Sequence, residues 1–294
     1  MNKFAVYTVQ VGGYDVVQQP LVVDERFDYV LFTDSEESKN IGIWQVRTIP
    51  YENSDLTRVS RYPKMHPNEL LNEYKASLYI DANIQITGQR IYDRVVECYE
   101  RGIDWAGIQH PTYNCIYEDA YNVMALALEK EYQVFEWCHI LRTEKYPRNN
   151  GLFENNIIFR RHTNIIKKVN NFWWELYQKY TRRDQLSLKY VLWKCEEVKV
   201  GFILSPHEMD CVNRFIHKKD TRGKRNVRIN RWEHFRQRCR VGLPSKYESF
   251  QDVHYRLYRY PNKFSMVLLD IWTIYTILVY GIRIKYDAYK RHKQ

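Results

Sequence analysis

Over the first 110 residues, apolar positions come in short runs parted by polar and Gly- or Pro-bearing stretches. "FAVYTVQVG" (4–12), "DYVLFT" (28–33), "IWQVRTI" (43–49), "SLYID" (77–81) and "DWAGIQH" (104–110) are rich in β-branched and aromatic residues, and each predicts a strand. Helical spacing falls between several of them. Between residues 118 and 142 apolar positions recur at helical intervals, "NNIIFRRH" (155–162) returns to a strand, and "TNIIKKVNNFWWELYQKY" (163–180) predicts a helix. "DQLSLKYVLWKC" (184–195) opens one more. Strands alternating with helices predict an α/β fold with a mostly parallel sheet flanked by helices.

A last apolar stretch starts at Phe264, "FSMVLLDIWTIYTILVYGIRIKYDAYKRHK". Its core to Ile282 is near spanning length, but Asp270, Thr273 and Thr276 interrupt it. An interfacial amphipathic helix suits its Trp, Tyr and basic flank best; a helix docked on the core and a membrane span are the alternatives. The chain therefore divides into a domain at 1–217 and a basic, helical C-terminal extension at 218–294 that associates with a membrane.

The 294 residues are 45% hydrophobic, enough for a substantial core. Formal net charge is +10, and residues 218–240 hold ten Lys or Arg against two acids. Such a tract attracts nucleic acid, an anionic membrane or an acidic glycan alike. No nucleic-acid module accompanies it, so no nucleic-acid partner is expected. Six Cys at 98, 115, 138, 195, 211 and 239 form no CxxC pair, which predicts reduced thiols and a cytosolic setting. The N-terminal residues lack a signal peptide's h-region and cleavage site, so secretion by that route is not expected.

The candidate chemistry begins in "LYIDANIQI" (78–86). If the strand continues, Asp81 and Asn83 point the same way at its C-terminal end, where open α/β sheets bind ligands. Paired oxygens suit Mg²⁺ or Mn²⁺ bridging to phosphates, although an Asp and an Asn after a strand are also ordinary turn formers. Gly12 and Gly13 permit close backbone approach, without a GxGxxG or Walker pattern. Asp184 stands where helix caps stand.

In order along the chain, "VYTVQVGGYD" (6–15), "FDYVLFTD" (27–34), "IWQVRTIP" (43–50), "DLTRVSRYPKMHPNELLNEYKASLYIDANIQI" (55–86), "HPTYNCIYEDA" (110–120), "GLFENNIIFRRH" (151–162) and "RRDQLSLKYVLWK" (182–194) resemble a family of glycosyltransferase-like proteins. These come from polysaccharide and capsule gene clusters and are related to plant proteins of cell-wall and mucilage synthesis. The resemblance covers about residues 4–215. It implies a GT-A type, Rossmann-like sheet in which a DxD or similar motif holds a metal against a sugar nucleotide's diphosphate; Asn83 replaces the second Asp.

By that resemblance Thr8, Gly12, Gly13, Tyr14 and Asp15, with Thr33 and Asp34, surround the nucleoside. Arg58, Arg61 and Lys64 approach the diphosphate, and Arg61 is counted with the catalytic residues. His207 or His217 completes a metal site with Asp81 and Asn83. His110, Glu118 and Gln185 line the sugar or acceptor side, and Glu154 or Asp184 supplies a carboxylate at the reacting carbon. The implied function is transfer of a sugar from a nucleotide-sugar donor to a polysaccharide or lipid-linked glycan acceptor, at the inner face of the cell membrane. Two other functions compete: a non-catalytic glycan- or membrane-binding protein on the same fold, and a glycoside hydrolase using Glu118 and Glu154.

Overall fold

The computed structural model describes residues 3–35, 39–125, 128–217, 263–276 and 278. They divide into two compact units, Met1–Tyr113 with Gly151–Lys224, and Asn114–Asn150 with Arg225–Gln294. The boundary is therefore discontinuous in sequence: residues 114–150 group with the C-terminal part, where the sequence pattern predicts one domain at 1–217.

The first unit is an eight-stranded sheet. Its strands are β1 (Phe4–Gln10), β2 (Phe27–Thr33), β3 (Asn40–Ile41), β4 (Trp44–Thr48), β5 (Ala76–Ile80), β7 (Trp105–Gln109), β8 (Phe153–Arg161) and β9 (Val200–Leu204), in the order β3-β4-β2-β1-β5-β8-β7-β9. The pairs β4–β2, β2–β1, β1–β5 and β7–β9 are parallel, whereas β8 runs antiparallel to both neighbours. A separate antiparallel ribbon joins β6 (Ile84–Ile86) to β10 (Val212–Arg214). Helices α1 (Leu56–Met65), α2 (Pro67–Leu70), α3 (Arg90–Glu100), α6 (Asn164–Lys179) and α7 (Gln185–Lys194) complete the unit. This is the mixed α/β, mainly parallel architecture that the alternating pattern predicts.

The strand register sorts side chains by face, because residues paired across a sheet share a side. Phe4, Val6, Tyr29, Leu31, Leu78, Ile80, Ile157 and Phe159 fill the apolar core together with Ile91, Tyr92 and Val95 of α3. Tyr7, Tyr79 and Arg160 occupy the opposite face, that of Lys64 in α1 and Asn170 in α6.

In the second unit, α4 (Ile116–Ala125), α5 (Glu131–Thr143) and α8 (Lys263–Thr276) are helical, and Ile116, Val134, Trp137 and Leu141 are buried. The five described cysteines are free thiols. Among the described residues, no helix is long and apolar enough to cross a membrane.

Candidate active site

Strand β1 lies between β2 and β5, and the chain winds outward through β2 and β4 before crossing back to β5. That reversal opens a crevice beyond the C-terminal ends of β1 and β5, the usual ligand position in such sheets. Two segments leave the sheet there, Val11–Asp15 after β1 and Asp81–Asn83 after β5.

The first segment turns through two left-handed residues, Gly12 (φ 61°) and Gly13 (φ 59°). At Gly12 it is the left-handed conformation that calls for glycine; a Cβ would stand 2.9 Å from Leu56 Cδ1, the end of an exposed side chain that can move aside. The Gly12 N–H donates to both Asp34 carboxylate oxygens, at 2.9 and 3.1 Å, and the Thr33 hydroxyl donates to Gln10 Oε1 at 3.2 Å. Thr33 and Asp34 thus brace the turn from the end of β2. Beyond it, Asp15 meets His217 Nδ1 at 2.9 Å, and the His217 ring lies 5.2 Å from that of Tyr14. Its bond to Asp15 raises the His217 pKa above the ordinary histidine value. The ribbon β6–β10 brings His217 here, whereas His207 is exposed on the 3-10 helix Pro206–Cys211, anchored to α3 through Glu208 and Arg94.

The second segment departs from the expected strand geometry. Strand β5 ends at Ile80, and the Ile84 N–H donates to Asp81 O at 2.9 Å, closing a turn over 81–84. Asp81 and Asn83 therefore do not sit on one strand face; the turn-forming tendency of an Asp and an Asn after a strand prevails. Asn83 is buried, and its amide nitrogen donates to Phe215 O at 2.7 Å. Its Oδ1 finds no hydrogen-bond partner among the described residues.

Beneath Asp81 lies a buried charge cluster. The Tyr79 hydroxyl donates to Asp81 Oδ1 at 2.6 Å, and Lys64 Nζ stands 3.9 Å from the same oxygen, 2.6 Å from Asp184 Oδ2 and 4.8 Å from the Tyr79 ring centre. Arg61 Nε is 3.5 Å from Asp184 Oδ2. Burial alone would raise the Asp184 carboxyl, but Lys64 and Arg61 outweigh it and hold the group well below the usual carboxylate range. Burial lowers Lys64, with Asp184 and Asp81 opposing. Burial and Asp81 push Tyr79 well above an ordinary phenol, so it stays a donor. Arg160, fully buried on β8, donates to Lys64 O at 2.6 Å, to Asn170 Oδ1 at 2.9 Å and to the Tyr7 hydroxyl, occupying a carbonyl that the end of α1 leaves without a helical partner.

This placement changes several roles expected from the resemblance. Asp184 begins α7 but makes no side-chain cap, because its carboxylate is held by Lys64 and Arg61. Lys64 is buried with its ammonium directed to Asp184, 2.6 Å away, and is a partner of that carboxylate instead of a diphosphate contact. Arg58 binds Gln178 of α6 and stands 3.7 Å from Asp55. Glu154 pairs with Arg214 of β10. His110 Nδ1 accepts from the N–H groups of Thr112 and Tyr113 at 3.2 and 2.9 Å, closing a turn. Gln185 is half-buried at the start of α7, and Glu118 is exposed on α4, in the other unit from Glu154. Thr8 Oγ1, both amide atoms of Asn155 and Asn156 Oδ1 are buried without a hydrogen-bond partner among the described residues.

Tyr79, Tyr7 and Arg160 are absent from the sequence-based candidates. No local signal singled out Arg160, because "NNIIFRRH" does not alternate and the strand is buried on both faces.

A family model for the TOD1/MUCI70 glycosyltransferase-like domain matches residues 17–219. The chain belongs to this family. Asp81, Asn83, Lys64, Glu154, Asp184 and His217 fall inside the matched span of the TOD1/MUCI70 domain, and Thr8 and Gly12–Asp15 precede it. Among solved structures, the apo form of the bifunctional glycosyltransferase WbbM is similar at a TM-score of 0.41 and 11% identity, over 68% of this chain and 38% of that one. The chain therefore spans well under half of that protein. None of the curated proteins matches.

Proposed function

We propose that the protein is a glycosyltransferase that moves a sugar from a nucleotide-sugar donor to a polysaccharide or lipid-linked glycan acceptor, with Mn²⁺ or Mg²⁺ at the diphosphate. The observation carrying this is the convergence of the Gly12–Asp15 turn and the Asp81–Asn83 turn at the reversal of strand order, within a glycosyltransferase-like domain.

The donor atoms suit a hard cation that shares its shell with substrate phosphates. Among the described residues, no three His, Cys, Asp or Glu side chains form a ready-made cage, but Asp81 offers a carboxylate and Asn83 a carbonyl oxygen with no other partner. Asp81 and Asn83 are the residues that would hold the ion, with His217 at the neighbouring turn. When bound, a divalent cation offsets the charge that gathers on the leaving diphosphate. Arg61, a quarter exposed, adds positive potential from the same side. Lys64 and Tyr79 hold Asp81 in place. As the acceptor hydroxyl oxygen bonds the anomeric carbon, the bond to the diphosphate oxygen breaks; with inversion, Glu154 is the carboxylate assigned to take the hydroxyl proton.

The test is hydrolysis and transfer across a panel of nucleotide sugars, with and without Mn²⁺. Asp81→Ala is expected to abolish turnover with the circular dichroism spectrum retained, and Asp81→Asn, which keeps an acceptor for Tyr79, to lower it about 100-fold or more with the melting curve retained as well. Turnover unchanged in both variants would overturn the assignment.

A further inference from the structure

Helix α8 leaves large apolar side chains uncovered. Phe264, Val267, Leu268, Ile271, Ile274 and Tyr275 are 38–72% exposed, and Leu278, also exposed, continues the series. Their intervals of three and four residues place them along one stripe, about 120° wide at 100° per residue. By the same count Ser265, Asp270, Thr273 and Thr276 fall outside the stripe, and an apolar face opposed by polar positions is the form of an element lying in the plane of an interface.

Charge decides what covers it. Lys263 opens the helix, and residues 283–293 carry Arg283, Lys285, Lys290, Arg291 and Lys293 against one acid, Asp287. A second copy of this chain would bring the same excess to the contact and repel it, whereas anionic headgroups complement it. We infer that α8 docks flat on a membrane surface rich in anionic phospholipid, its apolar stripe in the headgroup and acyl boundary and the basic residues that flank it in sequence drawn to the headgroups. This deepens the proposed function by naming a surface on which a lipid-linked acceptor is met. It rests on the stripe and the charge, so it stands or falls apart from the sugar chemistry.

Full-length protein would be sedimented with phosphatidylcholine vesicles and with equimolar phosphatidylcholine and phosphatidylglycerol vesicles. The expected result is binding to the mixed vesicles only, weakening as salt rises. Ile271→Glu is expected to reduce the partition coefficient about tenfold or more, and Ile271→Ala less, with melting temperature unchanged because the site is already exposed. Equal binding to neutral vesicles, absence of binding, or undiminished binding by Ile271→Glu would overturn the inference. So would concentration-dependent self-association in solution that Ile271→Glu abolishes, since the stripe would then be a contact between copies. Loss of donor hydrolysis with vesicle binding intact would count against the proposed function alone.

Discussion

The two faces of the central sheet bury the same strands by opposite means. On one, Val6, Leu31, Leu78, Ile80 and Phe159 pack against α3 with side chains that carry no charge. On the other, Tyr7, Tyr79 and Arg160 meet Lys64, Asp184 and Asn170, so burial there depends on each charge finding its partner. The apolar face gains from area removed from water and tolerates imperfect geometry; the charged face gains little in net stability and fixes geometry strictly. Strand β5 feeds both, and Asp81 emerges directly beyond it. The charged face therefore acts as the mount of the candidate site, and the apolar face as its ballast.

Lys64→Met should separate the two faces most sharply. It leaves Asp184 buried beside Arg61 alone, and should lower unfolding free energy in urea by about 3–5 kcal/mol. Adding Asp184→Asn should recover much of that loss; a single variant with wild-type stability would show the cluster to be inert. Leu78→Ala, on the opposite face, should lower stability by about 3 kcal/mol through cavity formation, without altering the acid limb of the stability curve.

Asp184 contributes to the acid limb beside Asp24 and Glu208, which Arg26 and Arg94 also hold low. Its folded pKa is depressed, so its contribution is full above the unfolded value of about 4 and drains away as pH falls below that. Denaturant titrations from pH 7 to pH 3 should show wild type losing stability faster than Asp184→Asn; parallel curves would refute the assignment. Tyr79→Phe should have the smallest effect on folding, about 1 kcal/mol, because it deletes one hydrogen bond and little volume. Its stronger effect should fall on Asp81: Mn²⁺ affinity, read by titration calorimetry, is expected to drop about tenfold, and an unchanged affinity would sever Tyr79 from the site.

Local patterns in the sequence carried the apolar face well. Strands β1, β2, β4, β5, β7 and β8 lie within a few residues of the runs that predict them, because alternation and β-branched content are properties of neighbours. Strand β9 escaped although "VGFIL" is an apolar run, because Gly201 interrupts it and no alternation marks a face. The ribbon β6–β10 escaped for a different reason: Ile84 pairs with Arg214, a relation that no local window contains. The same holds for the charged face. Asp184 read locally as a helix cap, and only the fold brings Lys64 to it, 2.6 Å away. At "LYIDANIQI" the residue types were informative but the strand geometry was not, because the run is two strands with a turn between them.

The ribbon also bears on the order in which the molecule is made. The contact between Asp15 and His217 joins residues 202 apart in sequence, with every strand of the large sheet lying before His217 in the chain. During synthesis, strands β1, β2 and β5 can associate while the ribosome still holds the last third of the protein, since their contacts are comparatively local. The candidate site waits for residues 212–217. A chain released before β10 would carry a largely complete sheet with an unfinished site, so competence for ligand comes later than the sheet itself.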